Sequence, residues 1–244
     1  MPGFYAPDLE LKSVKIKISG EEFHHIIHVF RKKTGDDIRL TNGKGILAEA
    51  TITEQKRDYL IAGIDKLDCR KPSQPEMAVA FSLLKNKHDH LIIEKLTELG
   101  IRKFFPLLCE RSIRKPSHEP EDKLRKVAIT AIKQCDNAFL PEIYQVMELP
   151  RFLEFIAESD FSLLAGLESE AETPLLNLIR DNHKPLCIII GPEGGFSPFE
   201  RELFIKKEIL TFSLGNHVLR AETAAIAAVA QINGYFLSLD PQYY

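Results

Sequence analysis

The sequence predicts an α/β protein with two domains: a small β-rich domain over residues 1–71 and an α/β domain over residues 72–244. Three observations support this prediction. Apolar and polar residues alternate in the first segments, as in half-buried strands. A stretch with two prolines, Cys69–Pro75, interrupts any regular pattern. Short apolar strands then alternate with helical patterns, which is typical of a parallel sheet covered on both faces.

The N-terminal elements are mostly strands. Residues 14–18, VKIKI, alternate between apolar and polar side chains. Asn42-Gly43 is a strong hairpin signal between two neighbouring strand segments, and residues 21–30 are expected to form a short helix. Compact, turn-rich strands of this kind predict a small barrel. The further strand segments are 37–41, 46–53 and 59–64.

The C-terminal elements alternate between strands and helices. A helix is expected over His88–Leu99, and Gly100 ends it. The apolar residues on one face of this helix are Leu91, Ile92, Leu96 and Leu99. Two further helices are expected over Pro120–Cys135 and Pro174–Asp181. The strand segments between them are Met77–Leu83, Phe104–Leu108, Ser162–Ala165 and Leu186–Ile190.

Composition narrows the class of protein. The formal net charge is −3, and residues 1–71 carry 13 Lys and Arg against 11 Asp and Glu, so charge gives only a weak sign of a polyanion partner. The four cysteines form no Cys-x-x-Cys pair, which disfavours a zinc site and a disulfide framework. No apolar run reaches the length of a membrane span and no signal core is visible, so we expect a cytoplasmic protein without a membrane partner.

The strongest chemical signal is LCIIIGPEGGFSPFE, residues 186–200. A hydrophobic strand runs into a Gly-Pro-Glu-Gly-Gly loop, and a helix is expected to follow. Ser197 is a suitable N-cap, Pro198 suits the first helical position, and Glu200 completes a capping box. Strand, glycine turn and helix are how α/β folds build ligand sites. The alternative is a tight turn before a well-capped helix.

The residues of this loop also narrow the class of ligand. The loop has no lysine and fits neither the Gly-x-x-x-x-Gly-Lys nor the Gly-x-Gly-x-x-Gly pattern of nucleotide-binding loops. Glu193 would place a negative charge where a phosphate would lie. A zwitterionic or cationic ligand such as S-adenosylmethionine therefore fits better.

A second strand, loop and helix follow in FSLGNHVLRAETAAIAAVAQINGYF, residues 212–236. The strand ends at Leu214, and a loop from Gly215 to Arg220 leads into an alanine-rich helix. The alanines permit close packing, either in the core or between two copies of the chain, where we expect them. Two glycine-bearing turns in succession predict one shared pocket.

Together, GPEGGFSPFE and LGNHVLRAETAA resemble motifs of the RsmE family, the small-subunit rRNA uridine-N3 methyltransferases of the SPOUT superfamily. Three further stretches are similar to segments of that family, in order along the chain: HHIIHVFRKKTGD (24–36), LIIEKLTELGI (91–101), and Ala131–Cys135 with Pro141.

The resemblance implies both a fold and a reaction. It implies a PUA-like β-barrel RNA-binding domain followed by a SPOUT methyltransferase domain with a C-terminal deep trefoil knot, an exception to the rule of unknotted chains. It also implies a homodimer that uses S-adenosylmethionine to form N3-methyluridine in 16S rRNA, within the small ribosomal subunit. The cofactor site would comprise Leu164, Ala165, Gly191, Pro192, Glu193, Gly194, Leu214, Gly215, Val218, Leu219 and Thr223.

Methylation of uridine N3 requires removal of a proton from that nitrogen. Arg220 is the candidate for stabilising negative charge on a uracil carbonyl, or for holding a phosphate. Glu222 is the candidate general base, although an acidic residue in the first turn of a helix is also simply stabilising.

Two basic clusters are candidates for RNA contact, and a solvated surface is the alternative for each. The first cluster is Arg31, Lys32 and Lys33, and the second is Arg111, Arg114 and Lys115. His24 and His28 have the i, i+4 spacing of metal ligands, but no third ligand is indicated, so no metal is expected.

Three other functions stay open. The chain could be a SPOUT methyltransferase that acts on another RNA, such as a tRNA ribose 2′-hydroxyl. It could also be a catalytically inactive RNA-binding relative, or an unrelated nucleotide-binding α/β enzyme. Binding of S-adenosylmethionine or ATP separates the last of these from the others, and mass analysis of rRNA nucleosides tests the substrate.

Overall fold

A computed structural model describes residues 3–86, 88–114, 120–167, 173–180, 182 and 184–239. The chain divides into two compact units. The first unit comprises residues 3–72 together with Ile129–Leu140, and the second comprises the described parts of 73–128 and 141–239. Within these described ranges, no helix is long and apolar enough to cross a membrane.

A five-stranded sheet forms the first unit. Its spatial order is β1-β3-β4-β5-β2, with β1 parallel to β3 and the other pairs antiparallel. The strands are β1 (Gly3–Tyr5), β2 (Lys15–Ser19), β3 (Asp37–Thr41), β4 (Ile46–Gln55) and β5 (Tyr59–Cys69). The four predicted strands are confirmed as β2 to β5, whereas β1 and the C-terminal end of β5 were not predicted.

A short helix, α1 (Gly20–His24), connects β2 to β3 and continues as a π-helical turn over His25–Val29. This confirms the predicted helix, although its second half is a π-helical turn and not an α-helix. Phe23 and Ile26 are buried in the core of the unit. The backbone then turns at Arg31, whose φ is +55°. The basic cluster therefore begins where the helix ends.

The predicted turn between β3 and β4 is organised by the side chain of Asn42. This side chain is buried, and its Oδ1 accepts hydrogen bonds from the backbone N–H groups of Lys44 (2.7 Å) and Ile46 (3.0 Å). Its Nδ2 donates to the carbonyl of Leu9 at 3.1 Å. One amide thus binds three backbone groups, two in the turn and one in the segment between β1 and β2.

Residues Ile129–Leu140 belong with the first unit because they bond to it. The carbonyl of Ala138 accepts from the Gly45 N–H at 2.8 Å, and the Leu140 N–H donates to the carbonyl of Gly43 at 2.9 Å. A sequence-based boundary after residue 71 cannot include this segment, since these bonds join residues that are far apart along the chain.

A mostly parallel sheet forms the centre of the second unit, in the order β12-β10-β11-β6-β7, and β7 also pairs with β8 and β9. Its strands are β6 (Met77–Ser82), β7 (Lys103–Leu108), β8 (Glu142–Ile143), β9 (Met147–Glu148), β10 (Ser162–Gly166), β11 (Leu186–Ile190) and β12 (Leu210–Phe212). Its helices are α2 (His88–Glu98), the first part of α3 (Pro120–Gln134), α4 (Leu149–Ile156), α5 (Leu175–Ile179), α6 (Pro198–Lys206) and α7 (Ala221–Leu239), and the residues of α3 from Ile129 onward belong to the first unit.

The predicted alternation of strands and helices is confirmed, and every residue of β6 and β11 is buried. Residue Asp181, at the end of one predicted helix, lies outside the described residues. Helix α7 packs against α2, α5 and β11, and its residues Ala225 and Ala228 are fully buried there. These two alanines are therefore covered within the unit, whereas Ala224 and Ala227 are half-buried and Ala230 is exposed, and packing of this helix between two copies stays a prediction. The C-terminal knot stays a prediction.

We predict that Asn42→Ala lowers the free energy of unfolding by about 2–3 kcal/mol, because it leaves buried backbone donors and an acceptor without partners. Urea denaturation, followed by circular dichroism, measures this change. Asn177→Ala is the control, since Asn177 is exposed on α5 and alanine favours a helix. An equal effect of the two substitutions would show that the turn does not depend on the Asn42 amide.

Candidate functional site

A cavity lies at the carboxyl ends of β10, β11 and β12 and has a volume of about 850 Å³ when the part that is open to solvent is included. The lining combines glycines and other small residues with larger apolar side chains, and it includes residues at and after the ends of the three strands. The lining residues are Gly166, Leu167, Ile190, Gly191, Pro192, Gly194, Gly195, Phe196, Arg201, Phe212, Ser213, Leu214, Gly215, His217, Leu219, Ala221 and Ala224.

Phe196 shapes the first glycine loop. Its ring is buried against Phe204, with ring centroids 4.9 Å apart. A Cβ atom added to Gly191 would lie 3.0 Å from the Phe196 ring, so a larger residue at that position would displace the ring. Gly195 has a φ of +66°, and its N–H donates to the carbonyl of Pro192 at 2.9 Å, which closes the turn. The glycines are therefore required by the path of this loop.

The helix after this loop begins with the capping box that the sequence predicts. Ser197 Oγ accepts from the Glu200 N–H at 3.2 Å, and Glu200 Oε2 accepts from the Ser197 N–H at 2.8 Å. The other oxygen, Oε1, accepts from the N–H of Glu110 at 2.9 Å. Both oxygens of a buried carboxylate thus bind backbone donors, and they join the start of α6 to the chain after β7.

The two arginines of the second basic cluster bond within this unit. The guanidinium of Arg111 donates to the carbonyl of Gly194 at 3.0 Å, so it holds the first glycine loop. Arg114 forms an ion pair with the buried Asp89 and donates to the carbonyl of Leu84 at 3.3 Å. Lys115, the third residue of the cluster, lies outside the described residues.

The second glycine loop follows β12. Gly215 has a φ of +139°, a conformation that side-chain-bearing residues rarely adopt. Ser213 Oγ accepts from the Gly215 N–H at 3.2 Å and donates to the Gly215 carbonyl at 3.1 Å. Leu219 faces the cavity, whereas the neighbouring Val218 is 68% exposed.

Six of the predicted cofactor residues line the cavity: Gly191, Pro192, Gly194, Leu214, Gly215 and Leu219. Leu164 and Ala165 are instead buried in β10, and this strand contributes the two residues that follow them, Gly166 and Leu167. The lining also includes Arg201 and His217, which were not predicted. No local pattern distinguishes them from other surface residues.

The remaining predicted residues surround the cavity. Glu193 Oε1 accepts from the N–H of Lys85 at 3.2 Å. Thr223 and Arg220 are exposed near the start of α7. Glu222, between them, is buried and pairs through Oε1 with His88 Nδ1 at 3.0 Å. His88 is a further residue that sequence analysis missed.

The site offers a buried carboxylate but no reactive thiol or metal cluster. Burial, with the nearby Glu200 carboxylate, raises the pKa of the Cys109 thiol well above its usual range, so this cysteine does not supply a thiolate. Across the described ranges, no group of three metal-ligating side chains could hold an ion. The arrangement is suited to binding a small molecule by its backbone and to acid–base chemistry.

Two family models match the chain. One is described as an RNA methyltransferase domain and matches residues 71–233. The other is described as an RNA methyltransferase PUA domain and matches residues 18–65. These matches confirm the predicted fold class, a PUA-like domain followed by an α/β methyltransferase domain.

The similar proteins named below are all described as methyltransferases. Ribosomal RNA small subunit methyltransferase E of Rickettsia conorii is 30% identical over 226 residues, which cover 89% of this chain and 89% of that protein. The protein of the same name from Bacillus subtilis is 29% identical, over 88% of both chains. A methyltransferase from Legionella pneumophila, solved with bound cofactor SAM, has a TM-score of 0.83 at 28% identity, covering 95% of this chain and 96% of that chain.

We predict that Glu200→Ala lowers the free energy of unfolding of the second unit by about 2–4 kcal/mol, because two backbone donors lose their buried acceptor. Hydrogen exchange should also become faster at the amides of Ser197 and Glu110. Glu202→Ala, an exposed position on the same helix, should change neither quantity. If the two variants exchange alike at these amides, the carboxylate does not hold the loops.

Proposed function

The chain belongs to the RNA methyltransferase family represented by ribosomal RNA small subunit methyltransferase E, and from this membership we propose that it methylates N3 of a uridine in 16S rRNA. S-adenosylmethionine is the methyl donor. The observation that carries this proposal is the glycine-lined cavity at the ends of three parallel strands, in a fold shared with a relative that contains bound SAM.

The cavity residues suit S-adenosylmethionine. The adenosine would lie against the backbone of Gly191, Gly194 and Gly215, which have no side chains, and beside Leu219. The cofactor has no phosphate, and the first glycine loop has no lysine to bind one. When bound, it supplies an electrophilic methyl group on a positively charged sulfur. Two further predicted residues, Pro192 and Leu214, also line the cavity. We assign to the surroundings of the site the other predicted residues, which are Glu193, Val218, Thr223, Leu164 and Ala165.

The chain's own residues would have two tasks in methyl transfer. One is to hold the uracil ring in line with the methyl group, which removes much of the entropic barrier. The other is to accept the N3 proton and stabilise charge on the base. Arg220, exposed beside the cavity loop, would bind a uracil carbonyl or a phosphate, and Glu222 would be the general base.

RNA binding would involve residues 1–71 as a PUA-like domain. Arg31 and Lys33 are exposed and Lys32 is half-buried, at the end of the π-helical turn. Their charges would contact phosphate. Arg111 and Arg114, which already bond to the chain's own carbonyls, would use their remaining donors at the edge of the cavity.

The assembly would be a homodimer that acts on the small ribosomal subunit in the cytoplasm. The exposed apolar side chains of the second unit support an interface there. They include Val218, Leu237 and Leu239. An interface next to the second glycine loop would cover Val218.

We predict that the protein, given S-adenosylmethionine and unmodified small subunits, forms 3-methyluridine, which chromatography and mass analysis of nucleosides distinguish from 2′-O-methyluridine. Gly215→Val should abolish both formation of 3-methyluridine and binding of the cofactor. Gly215 lines the cavity and has a positive φ that residues with a side chain rarely adopt, so valine would change the path of this loop. Gly234→Ala, on the exposed side of α7, is the control. A folded Gly215→Val variant with normal cofactor affinity would remove this loop from the site.

We also predict that alanine at Arg31, Lys32 and Lys33 together weakens RNA binding. Each lost phosphate contact should reduce the slope of log affinity against log salt by about one unit. Cofactor affinity, measured by calorimetry, should not change.

The control for this variant is alanine at Lys12, Lys15 and Lys66, which are exposed elsewhere in the first unit. It removes the same number of positive charges. An equal loss of RNA affinity in the two triple variants would mean that net charge, and not this cluster, binds the RNA.

A further inference from the structure

The carboxylate of Glu222 is buried at the start of α7. The residue is 7% exposed, and its Oε1 lies 3.0 Å from His88 Nδ1. Its other oxygen, Oε2, is buried and has no hydrogen-bond partner among the described residues. A buried carboxylate oxygen without a partner is costly in a folded protein. This oxygen therefore lacks the hydrogen-bond donor that a buried carboxylate requires.

His88 is held in place by the chain around it. Its backbone N–H donates to the backbone carbonyl of Lys85 at 3.0 Å, at the start of α2. The next residue, Asp89, is buried in an ion pair with Arg114. The His88 side chain is 34% exposed, in contrast to the buried Glu222. The imidazole thus has one nitrogen on the carboxylate while part of its ring is open to solvent.

The pair of His88 and Glu222 adjoins the cofactor cavity. Ala221, which precedes Glu222, lines that cavity. On the His88 side of the pair, the backbone N–H of Lys85 donates to the side chain of Glu193, a residue of the first glycine loop whose two neighbours in the chain line the cavity. The chain that carries His88 is therefore bonded to both segments that border the site.

Structural stabilisation alone is a weak explanation for this pair. A buried carboxylate recovers its desolvation cost only when its lone pairs are satisfied, and Oε2 of Glu222 is not satisfied here. The neighbouring carboxylate of Asp89 has its own cation, Arg114, so His88 is not needed to neutralise it. A role in proton transfer accounts for both the open oxygen and the exposed imidazole.

We propose that His88 is the positioning residue that holds Glu222 so that its unpartnered oxygen accepts the proton from the N3–H group of the target uridine when the base binds. This inference rests on the proposed function. The N3–H bond breaks, the proton passes to Glu222 Oε2, and the electron pair stays on N3. N3 uses that pair to bond to the methyl carbon, whose bond to sulfur breaks with its electrons remaining on sulfur. The proton then passes from Glu222 to water after the methylated base has left.

The test compares His88→Leu with His88→Gln. His88→Leu removes the partner of Glu222, and we expect kcat to fall by about 10²-fold, the range of a general base, with unchanged KM for the small subunit and unchanged affinity for S-adenosylmethionine. Glutamine can still donate a hydrogen bond to Glu222, so His88→Gln should recover part of the activity. His90→Leu, two residues further along α2, is the matched control and should be fully active.

A second substrate separates proton transfer from a structural role. Small subunits are reconstituted from 16S transcripts that contain uridine or 5-fluorouridine. Fluorine makes N3–H more acidic, so the reaction depends less on the base, and the loss in His88→Leu should be much smaller on the fluorinated substrate. An equal loss on both substrates, full activity of His88→Leu, or loss of cofactor affinity in both variants would overturn the inference. A wild-type protein that methylates neither substrate at N3 would instead overturn the proposed function.

Discussion

The buried carboxylate of Glu200 is the interaction on which the geometry of the cavity depends. It binds one backbone donor at the start of its own helix and one in the chain after β7. A buried charge of this kind requires all its hydrogen bonds, so only one arrangement of the two segments satisfies it. The glycine loop between β11 and α6 then has a defined path, and Arg111 holds its middle through the carbonyl of Gly194.

Charged groups are concentrated around the ends of the parallel strands because backbone groups there have no partners in the sheet. Glu193, Asp89 and Glu222 each bind a backbone donor or a basic side chain on another segment. Asp89 and Glu222 are buried, so removal of either partner would leave an uncompensated buried carboxylate. Polar contacts between segments thus hold the loops that border the cavity.

The sequence predicted the strands, the two glycine loops and the capping box, because each depends on residues within a few positions of one another. The prediction was less accurate for the contribution of β10. The chosen residues, Leu164 and Ala165, are buried in the strand, and the cavity begins only at Gly166. Hydrophobicity identifies a strand, but the residue at which the chain leaves the sheet depends on its pairing with β11 and β12.

Side chains that act across long separations could not be predicted from local patterns. Arg111 follows a strand and belongs to a basic cluster, which suggests a free surface, yet its guanidinium binds Gly194. His88 and Glu222 begin two different helices, and nothing near either residue indicates the other. The sequence by itself determined the order of elements, the turns that need glycine and the caps, since these arise from backbone sterics and neighbouring hydrogen bonds. Only the tertiary structure decided which buried charges meet, because burial and distance are properties of the packed chain.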